Sequence, residues 1–302
     1  MFKKLLSQSG LSLDRLLTFC LVAEAKGVTR AAKGDPVKQS LYSRQVKELE
    51  EFFGVELVRR KGRGIVLTSA GQRLHTMSRD QFAALTDFKA DCQNEPLEIV
   101  YGAGESIIRW LLLPRLGAVG EKLPGIRYKF LNMTSSETIR HLREGLIDLG
   151  IVRKDKLTPP LKGVILGTLK FSLFIPPNME AGTRGLRGPT VLESIPLAVL
   201  EGNGDFRQEL TRAAEKYNLH LNIKIECSSF PIIAQSISQG LAGGILPRLA
   251  AQELQKIGLR EVEASALETL ERELCLAWNP RHFRIRTALE KARSACVEAF
   301  GF

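Results

Sequence analysis

The sequence predicts a chain of two parts: a small all-α domain carrying one β-hairpin, then a larger α/β domain of two lobes. Three observations predict it. Apolar residues recur at helical spacing over the first stretch of the chain and give way to a Gly-containing hairpin. A long helix with a narrow apolar seam follows and ends at a proline. Strand and helix patterns then alternate to the end, as in α/β sheets. The 302 residues suit about two domains, and the 44% apolar fraction is enough for real cores.

Leu13, Leu16, Leu17 and Cys20 fall at helical spacing, which predicts an amphipathic helix from Ser12 to about Lys26, stopped by Gly27. Thr29 to Lys33 is a short second helix, and Gly34-Asp35-Pro36 turns the chain. The third helix is expected from Val37 to Phe53. Its buried stripe is Tyr42, Val46, Leu49 and Phe53. Gln39, Ser40, Ser43, Arg44 and Lys47 lie on another face with no carboxylate among them, while Glu48, Glu50 and Glu51 come later. A solvated face usually mixes both signs, so this asymmetry points to an anionic partner. Leu57 to Leu67 reads as a hairpin, and four of the five residues from Arg59 to Arg63 are cationic.

Ser69 with Gln72 fits a capping box and opens a helix to about Asn94. Leu74, Met77, Gln81, Leu85, Phe88 and Cys92 form a near-heptad seam in which Gln81 alone is polar. Such a seam needs a partner surface, and a second copy of the chain supplies one. Pro96 closes the helix.

Beyond it, strands at Leu97–Gly102, Ile126–Leu131 and Ile147–Val152 alternate with helices at Ser106–Leu116 and Ser136–Glu144. That βαβαβ order implies a parallel sheet. The alternation resumes with strands at Leu197–Leu200 and Ile223–Cys227 and helices at Asp205–Tyr217 and Pro231–Gln239. After Gly240–Pro247 come a late strand, Glu273–Trp278, and a final helix, His282–Ala299. Two such units make two lobes with a cleft, and ligands of open α/β sheets sit beyond the carboxyl ends of the strands.

The formal net charge of +10 favours nucleic acid or an acidic membrane surface. No apolar run reaches the ~20 residues of a membrane helix. The apolar start at Met1–Leu6 stops at Ser7-Gln8-Ser9-Gly10, too short for a signal peptide, so a cytoplasmic protein is expected. Cys20, Cys92, Cys227, Cys275 and Cys296 are odd in number and far apart, which argues against a disulfide framework or zinc site and for small buried hydrophobes. The motifs G-x-S-x-G, P-loop, H-E-x-x-H and G-x-G-x-x-G after a strand are missing, and His75, His141, His220 and His282 are isolated. No enzyme, cofactor or metal is expected.

The run Ala31-Ala32, then Gln39 to Glu50, resembles the helix-turn-helix of LysR-type transcription regulators. Gly54 to Val58, Arg60, Leu67-Thr68 and Ala70-Gly71 continue the likeness through the wing into the linker helix. Leu146 to Val152 and Gly240 to Pro247 are similar to the family's effector-binding domain. The resemblance implies an all-α winged helix-turn-helix domain plus an α/β two-lobed, periplasmic-binding-protein-like domain, divided as 1–68, a linker and dimerisation helix 69–95, and an effector domain 96–302. Lobe I would take about 96–165 and 270–302, and lobe II about 166–269. It implies that Gln39, Ser40, Ser43 and Arg44 face the major groove and that Arg63 is the wing arginine. Gln pairs bidentately with adenine and Arg with guanine, and a narrow minor groove attracts Arg. Thr29, Lys38, Lys47 and Arg60 complete the expected DNA surface.

Asp35, Lys38, Ser40 and Tyr42 depart from the family pattern. Asp35 as N-cap with Pro36 at the first helical position offers a substitute helix start. For the effector, the resemblance points to Ser106, Thr134, Ser135, Ser136, Gly202, Asn203 and Phe230. Amides and hydroxyls at helix starts suit an anion, and the same residues serve equally as caps. Partners are therefore double-stranded DNA, a small effector that is anionic if those amides and hydroxyls bind it, and the chain itself as dimer or tetramer, without a membrane. A DNA-binding architectural or constitutive regulator with no ligand is the alternative.

Overall fold

The computed structural model describes residues 9–62, 64–180, 188–286 and 288–302. It divides into two compact units. One is Met1–Leu97 with Glu144–Leu146 and Arg281–Thr287; the other is Glu98–Arg143, Ile147–Pro280 and Ala288–Phe302.

The first unit holds α1 (Leu13–Glu24), α2 (Val28–Ala31), α3 (Pro36–Phe53), the hairpin β1 (Val58–Lys61) and β2 (Gly64–Leu67), and α4 (Ser69–Gln93). Ser12 caps α1 by accepting from the Arg15 amide. Asp35 caps α3, its Oδ1 accepting from the amides of Val37 (2.9 Å) and Lys38 (3.2 Å), with Pro36 at the first helical position. The start expected at Asp35-Pro36 is thus the one observed. The capping box expected at Ser69 is displaced by one residue. Thr68 is the N-cap: its Oγ1 accepts from the Gly71 amide (3.0 Å) and donates to the Glu56 carbonyl (2.7 Å). Thr68 holds an extended ψ of 172° while Ser69 is already helical, so the cap falls to Thr68.

Phe19, Val22, Val46, Leu49 and Leu57 form the core of this unit, with Tyr42, Ile65, Leu67 and Leu74 packed against it. Burial of that stripe, more than helix propensity, is what holds short helices such as α1 and α2 in place. Glu50 has a structural task that composition does not reveal. Its Oε1 accepts from the amides of Leu57 (2.8 Å) and Val58 (3.1 Å), pinning the chain as it enters the wing.

The second unit contains two five-stranded sheets. In the first, β3 (Leu97–Ala103), β4 (Ile126–Asn132), β5 (Leu149–Arg153), β6 (Lys162–Leu169) and β12 (Arg272–Trp278) lie in the order β4-β3-β5-β12-β6. In the second, β7 (Phe171–Ile175), β8 (Leu197–Leu200), β9 (Ile223–Cys227), β10 (Gly243–Pro247) and β11 (Arg260–Val262) lie in the order β11-β7-β10-β8-β9. The parallel expectation needs correction. β3 and β5, β8 and β10, and β8 and β9 pair in parallel, but β12 pairs antiparallel with β5 and β6, and β7 antiparallel with β10 and β11. The βαβ units account for the parallel pairs. The antiparallel ones involve β6, β7, β11 and β12, and for β6, β7 and β11 the sequence pattern offered no strand.

The helix expected at Ser106–Leu116 is longer and broken. Glu105–Ile107 leads through a π-helical turn, Ile108–Leu112, into α5 (Leu113–Lys122). The wider turn buries Trp110, Leu111 and Leu112 in succession, which a regular amphipathic helix would not. Pro114, with no amide to offer the preceding turn, sits at the start of α5. The remaining helices are α6 (Ser135–Glu144), α7 (Asp205–Lys216), α8 (Phe230–Ser238), α9 (Ala251–Lys256), α10 (Pro280–Ile285) and α11 (Ala288–Phe300). The single final helix of the sequence reading is therefore two. Ile139, Leu142, Ile147 and Val152 anchor the core on the first sheet. Phe174, Ile233, Ile237 and Leu246 anchor that on the second, which also receives Trp110. Cys20, Cys227, Cys275 and Cys296 are buried and unbridged, and Cys92 is exposed. Burial pushes the Cys20 thiol up to about 12 and the Cys296 thiol up to about 11, which suppresses their thiolates. Among the described residues, no helix is long and apolar enough to cross a membrane.

Candidate nucleic-acid interface and inter-lobe cleft

Of the residues expected at DNA, six lie on α3. Lys38, Ser40, Ser43, Arg44 and Lys47 are exposed on it, opposite buried Val46 and Leu49. Gln39 is half-buried, its Oε1 accepting from Thr29 Oγ1 at 3.4 Å, so the starts of α2 and α3 present their polar groups together. The carboxylates of the later turns reach back. Arg44 pairs with Glu48 at 3.5 Å and Lys47 with Glu51 at 3.7 Å. The two cations are 71% and 76% exposed. Such pairs are weak in water and yield readily to a phosphate. Arg60 is exposed on β1; Arg63 lies outside the described residues. The wing is tied to the helices where the Ile65 amide donates to the Lys26 carbonyl at 3.1 Å.

Among the described residues, most apolar members of the seam expected on α4 stand uncovered. Met77 is 52% exposed, Leu85 48% and Phe88 67%, while Leu74 packs into the core. Phe53, Val55 and Met77 also line an apolar groove of about 230 Å³ beside Leu57, Ala70 and Leu74. Phe53, expected in the buried stripe of α3, is instead 38% exposed at this groove.

In the second unit, a cavity of about 420 Å³ opens between residues of the two sheets. Thr134, Ser135, Ser136, Arg153 and Lys156 line it from the first; Leu200, Glu201 and Gly204 to Arg207 line it from the second, with Arg272 at the start of β12. Thr134 and Ser135, expected from sequence, are therefore at the cleft. Thr134 also caps α6: its Oγ1 donates to Glu137 Oε2 (2.8 Å) and accepts from the Glu137 amide (3.3 Å). Ser135 Oγ accepts from the Arg153 amide at 3.3 Å. Ser106, Asn203 and Phe230 are not brought to this lining. Ser106 is half-buried in the turn after β3. Asn203 is exposed one residue before the lining begins, its carbonyl accepting from Gln208 at 2.8 Å. Phe230 packs on Phe171 and Phe206 at ring-centroid distances of 5.8 and 5.0 Å, an aromatic cluster behind the cleft.

The charged groups of this cleft escaped the sequence reading. Arg153 ends β5, and its guanidinium binds Asp155 at 2.8 Å and Asp205 at 2.9 Å. Burial opposes its charge, but Asp155, Glu209 and Asp205 outweigh that and raise its pKa. Burial likewise works against the Asp155 carboxylate, yet Arg153 holds it below the usual carboxylate range. Arg272, 14% exposed, binds Glu209 at 2.6 Å and lies 5.6 Å from the ring centres of both Phe171 and Phe206. The one signal available beforehand was a cation closing the apolar run Leu149–Val152.

Residues 97–300 match the LysR substrate binding domain, and residues 13–72 match the bacterial regulatory helix-turn-helix protein of the lysR family. This chain belongs to the LysR family. This LysR-type protein is a DNA-binding transcription regulator with an effector-binding domain, as the sequence resemblance implied. It is 25% identical over 307 residues to the uncharacterized HTH-type transcriptional regulator YnfL of Escherichia coli, covering 96% of this chain and 99% of that one. Its fold is similar to that of full-length LysG from Corynebacterium glutamicum with bound effector Arg, with TM-score 0.62 at 17% identity over 96% of this chain and 98% of that one. It is also similar to full-length CbnR complexed with target DNA, with TM-score 0.57 at 19% identity over 94% of this chain and all (100%) of that one.

Proposed function

We propose that this LysR-type regulator reads DNA through α3 and the wing, works in the cytoplasm without enzymatic activity, and responds to a small molecule held in the cleft lined by Thr134, Ser135 and Arg153. The division into a DNA-binding part, 1–68, a linker helix, 69–95, and an effector part, 96–302, belongs to this reading. The observation that carries it is the face of α3: Ser40, Ser43, Arg44 and Lys47 stand exposed while the opposite stripe is packed away. LysG, solved with bound Arg, and CbnR, solved on target DNA, support the two halves by analogy.

DNA binding should therefore be salt-dependent, on a site with dyad symmetry. Lys47→Ala should weaken binding to all sequences alike and lower the slope of log affinity against log salt by about 1. Gln39→Ala should relax base preference by about 1–3 kcal/mol at one position of each half-site. Fluorescence anisotropy on specific and scrambled duplexes at several salt concentrations checks both. Variants indistinguishable from wild type in affinity, slope and preference would move the reading surface away from α3.

The seam of Met77, Leu85 and Phe88 is the proposed contact with a second copy, the first step towards a dimer or tetramer. Leu85→Asp puts a carboxylate into that seam, and burying an unpaired charge is costly. Sedimentation velocity at micromolar concentration should show a smaller species than wild type. A wild type already monomeric, or a variant that assembles equally well, defeats this contact.

A further inference from the structure

The cleft of this LysR-type regulator is bridged by its own charges. Arg153 and Lys156, on the side of the first sheet, both bind Asp205 of α7, at 2.9 and 3.4 Å. Arg153 also reaches Glu209 at 3.5 Å, one turn further along the same helix. Four cations line the cavity, Arg153, Lys156, Arg207 and Arg272, against two carboxylates, Glu201 and Asp205. Asp155, Glu209 and Glu226 pair with Arg153, Arg272 and Arg207 from outside that lining, so an incoming anion gains cations here by displacing a carboxylate, and Asp205 is the one shared by Arg153 and Lys156.

The geometry points to an anionic effector, of the carboxylate class, that takes the place of the Asp205 carboxylate on Arg153 and Lys156. Asp205 is then an internal competitor and a latch between the lobes. This rests on the effector reading of the cleft and adds its ligand class and its regulation.

Exposure decides which acidic group yields. Asp205 is 52% exposed and its partner Lys156 39%, so their attraction is screened by water. Glu209 is 25% exposed and held by Arg272, itself 14% exposed, in a closer pair at 2.6 Å. Asp205 leaves; Glu209 stays and keeps Arg272 in place over Phe171 and Phe206. Asp205 is the first residue of α7, a helix of 12 residues, where the N-terminal dipole favours a negative charge. A ligand carboxylate on Arg153 meets the same field and can use the amides that open α7. The lobes keep a second link whatever Asp205 does, because Trp110 Nε1 and Arg109 both bind Glu253, at 3.1 and 2.6 Å. Release of the latch therefore changes the opening of the cleft without parting the lobes.

Malonate, a small dicarboxylate, is the probe. It is titrated into the full-length protein by calorimetry at constant ionic strength set with sodium chloride. Asp205→Asn keeps the size of the side chain and removes the competing charge, and it should bind malonate about three- to tenfold more tightly than wild type. Lys156→Ala should bind it more weakly. Asp205→Ser, a residue at home at helix starts, repeats the test should the amide variant fold poorly. Equal or weaker binding by both Asp205 variants, with malonate still bound by wild type, overturns the latch and leaves the effector reading intact. Malonate bound by neither wild type nor variant overturns the anionic class. A thermal-shift screen with neutral and cationic metabolites then tells whether the cleft takes an effector at all.

Discussion

Gly71→Ala should destabilise the N-terminal domain by about 2–4 kcal/mol, at the upper end of what overpacking costs. A Cβ on Gly71 would stand 2.0 Å from the Leu57 carbonyl oxygen and 2.9 Å from its carbon. Both are backbone atoms, and neither is at liberty to move. The Leu57 amide is held by Glu50 at 2.8 Å, and the Leu57 carbonyl accepts from the Thr68 amide at 3.0 Å. On the other side, the Gly71 amide is the one that Thr68 caps. Alanine is the better helix former by about 1 kcal/mol, so a surface glycine here would be improved by the change; the close approach of α4 to the wing entrance reverses the sign. Urea unfolding of the full-length protein, followed by far-ultraviolet circular dichroism, reads the loss. DNA affinity should fall with it, because the wing is carried by the same contact. An unchanged midpoint would mean that α4 can slide away from Leu57 freely.

Asp80→Ala should cost a similar amount, about 2–4 kcal/mol. Asp80 is 2% exposed in the middle of α4. Its carboxylate lies 2.8 Å from Arg281 Nε and 2.8 Å from His282 Nε2, residues of the same compact unit. The contacts are at ion-pair distance without hydrogen-bond alignment at Asp80, so the attraction is electrostatic more than directional. Removing one member of a buried pair usually costs about 3–5 kcal/mol, because the other charge is left without compensation. Arg281 is 38% exposed and partly solvated, which lowers the expected figure. Gly145 closes the same cluster. It takes a φ of +72°, and a Cβ there would lie 2.5 Å from the His282 ring. Differential scanning calorimetry of Asp80→Ala against wild type checks the size. A loss under about 0.5 kcal/mol, typical of a surface position, would show that Asp80 does not hold this unit together.

Neither of these positions announces itself along the chain. Gly71 falls within the stretch that resembles the family's linker helix, but its need for close approach depends on Leu57, fourteen positions earlier in sequence and adjacent only after folding. Asp80 sits in a polar stretch of α4 and reads as a solvated residue until His282 is placed on it. The exposed basic face of α3 was legible because a helix period of 3.6 sorts Val46 and Leu49 from Ser43, Arg44 and Lys47 without knowledge of anything distant. The same holds for Asp35-Pro36, since a cap acts over two or three residues. The cleft was half legible. Thr134 and Ser135 follow a strand and open a helix, a local signature, and both are at the cavity. Ser106 and Asn203 carry the same kind of signature and are not, for the strand-to-helix turn says where an amide points along its own element but not which turns face one another.

Local chemistry along the chain thus specifies the helix starts, the apolar stripes, the exposed basic face of α3 and the uncovered seam of α4, because each is written in spacings of a few residues. The folded chain decides what brings distant residues together. It selects mixed pairing over parallel sheets by laying β12 antiparallel between β5 and β6. It sets Arg153 against Asp205, fifty-two positions apart, and Arg272 against Glu209, sixty-three apart. A charge in a sequence has no partner until the lobes are packed, and an ion pair depends on separation and on how much water is excluded between the two groups. That is why the exposed basic face of α3 could be read from one helix, while the ion pairs across the cleft needed both lobes.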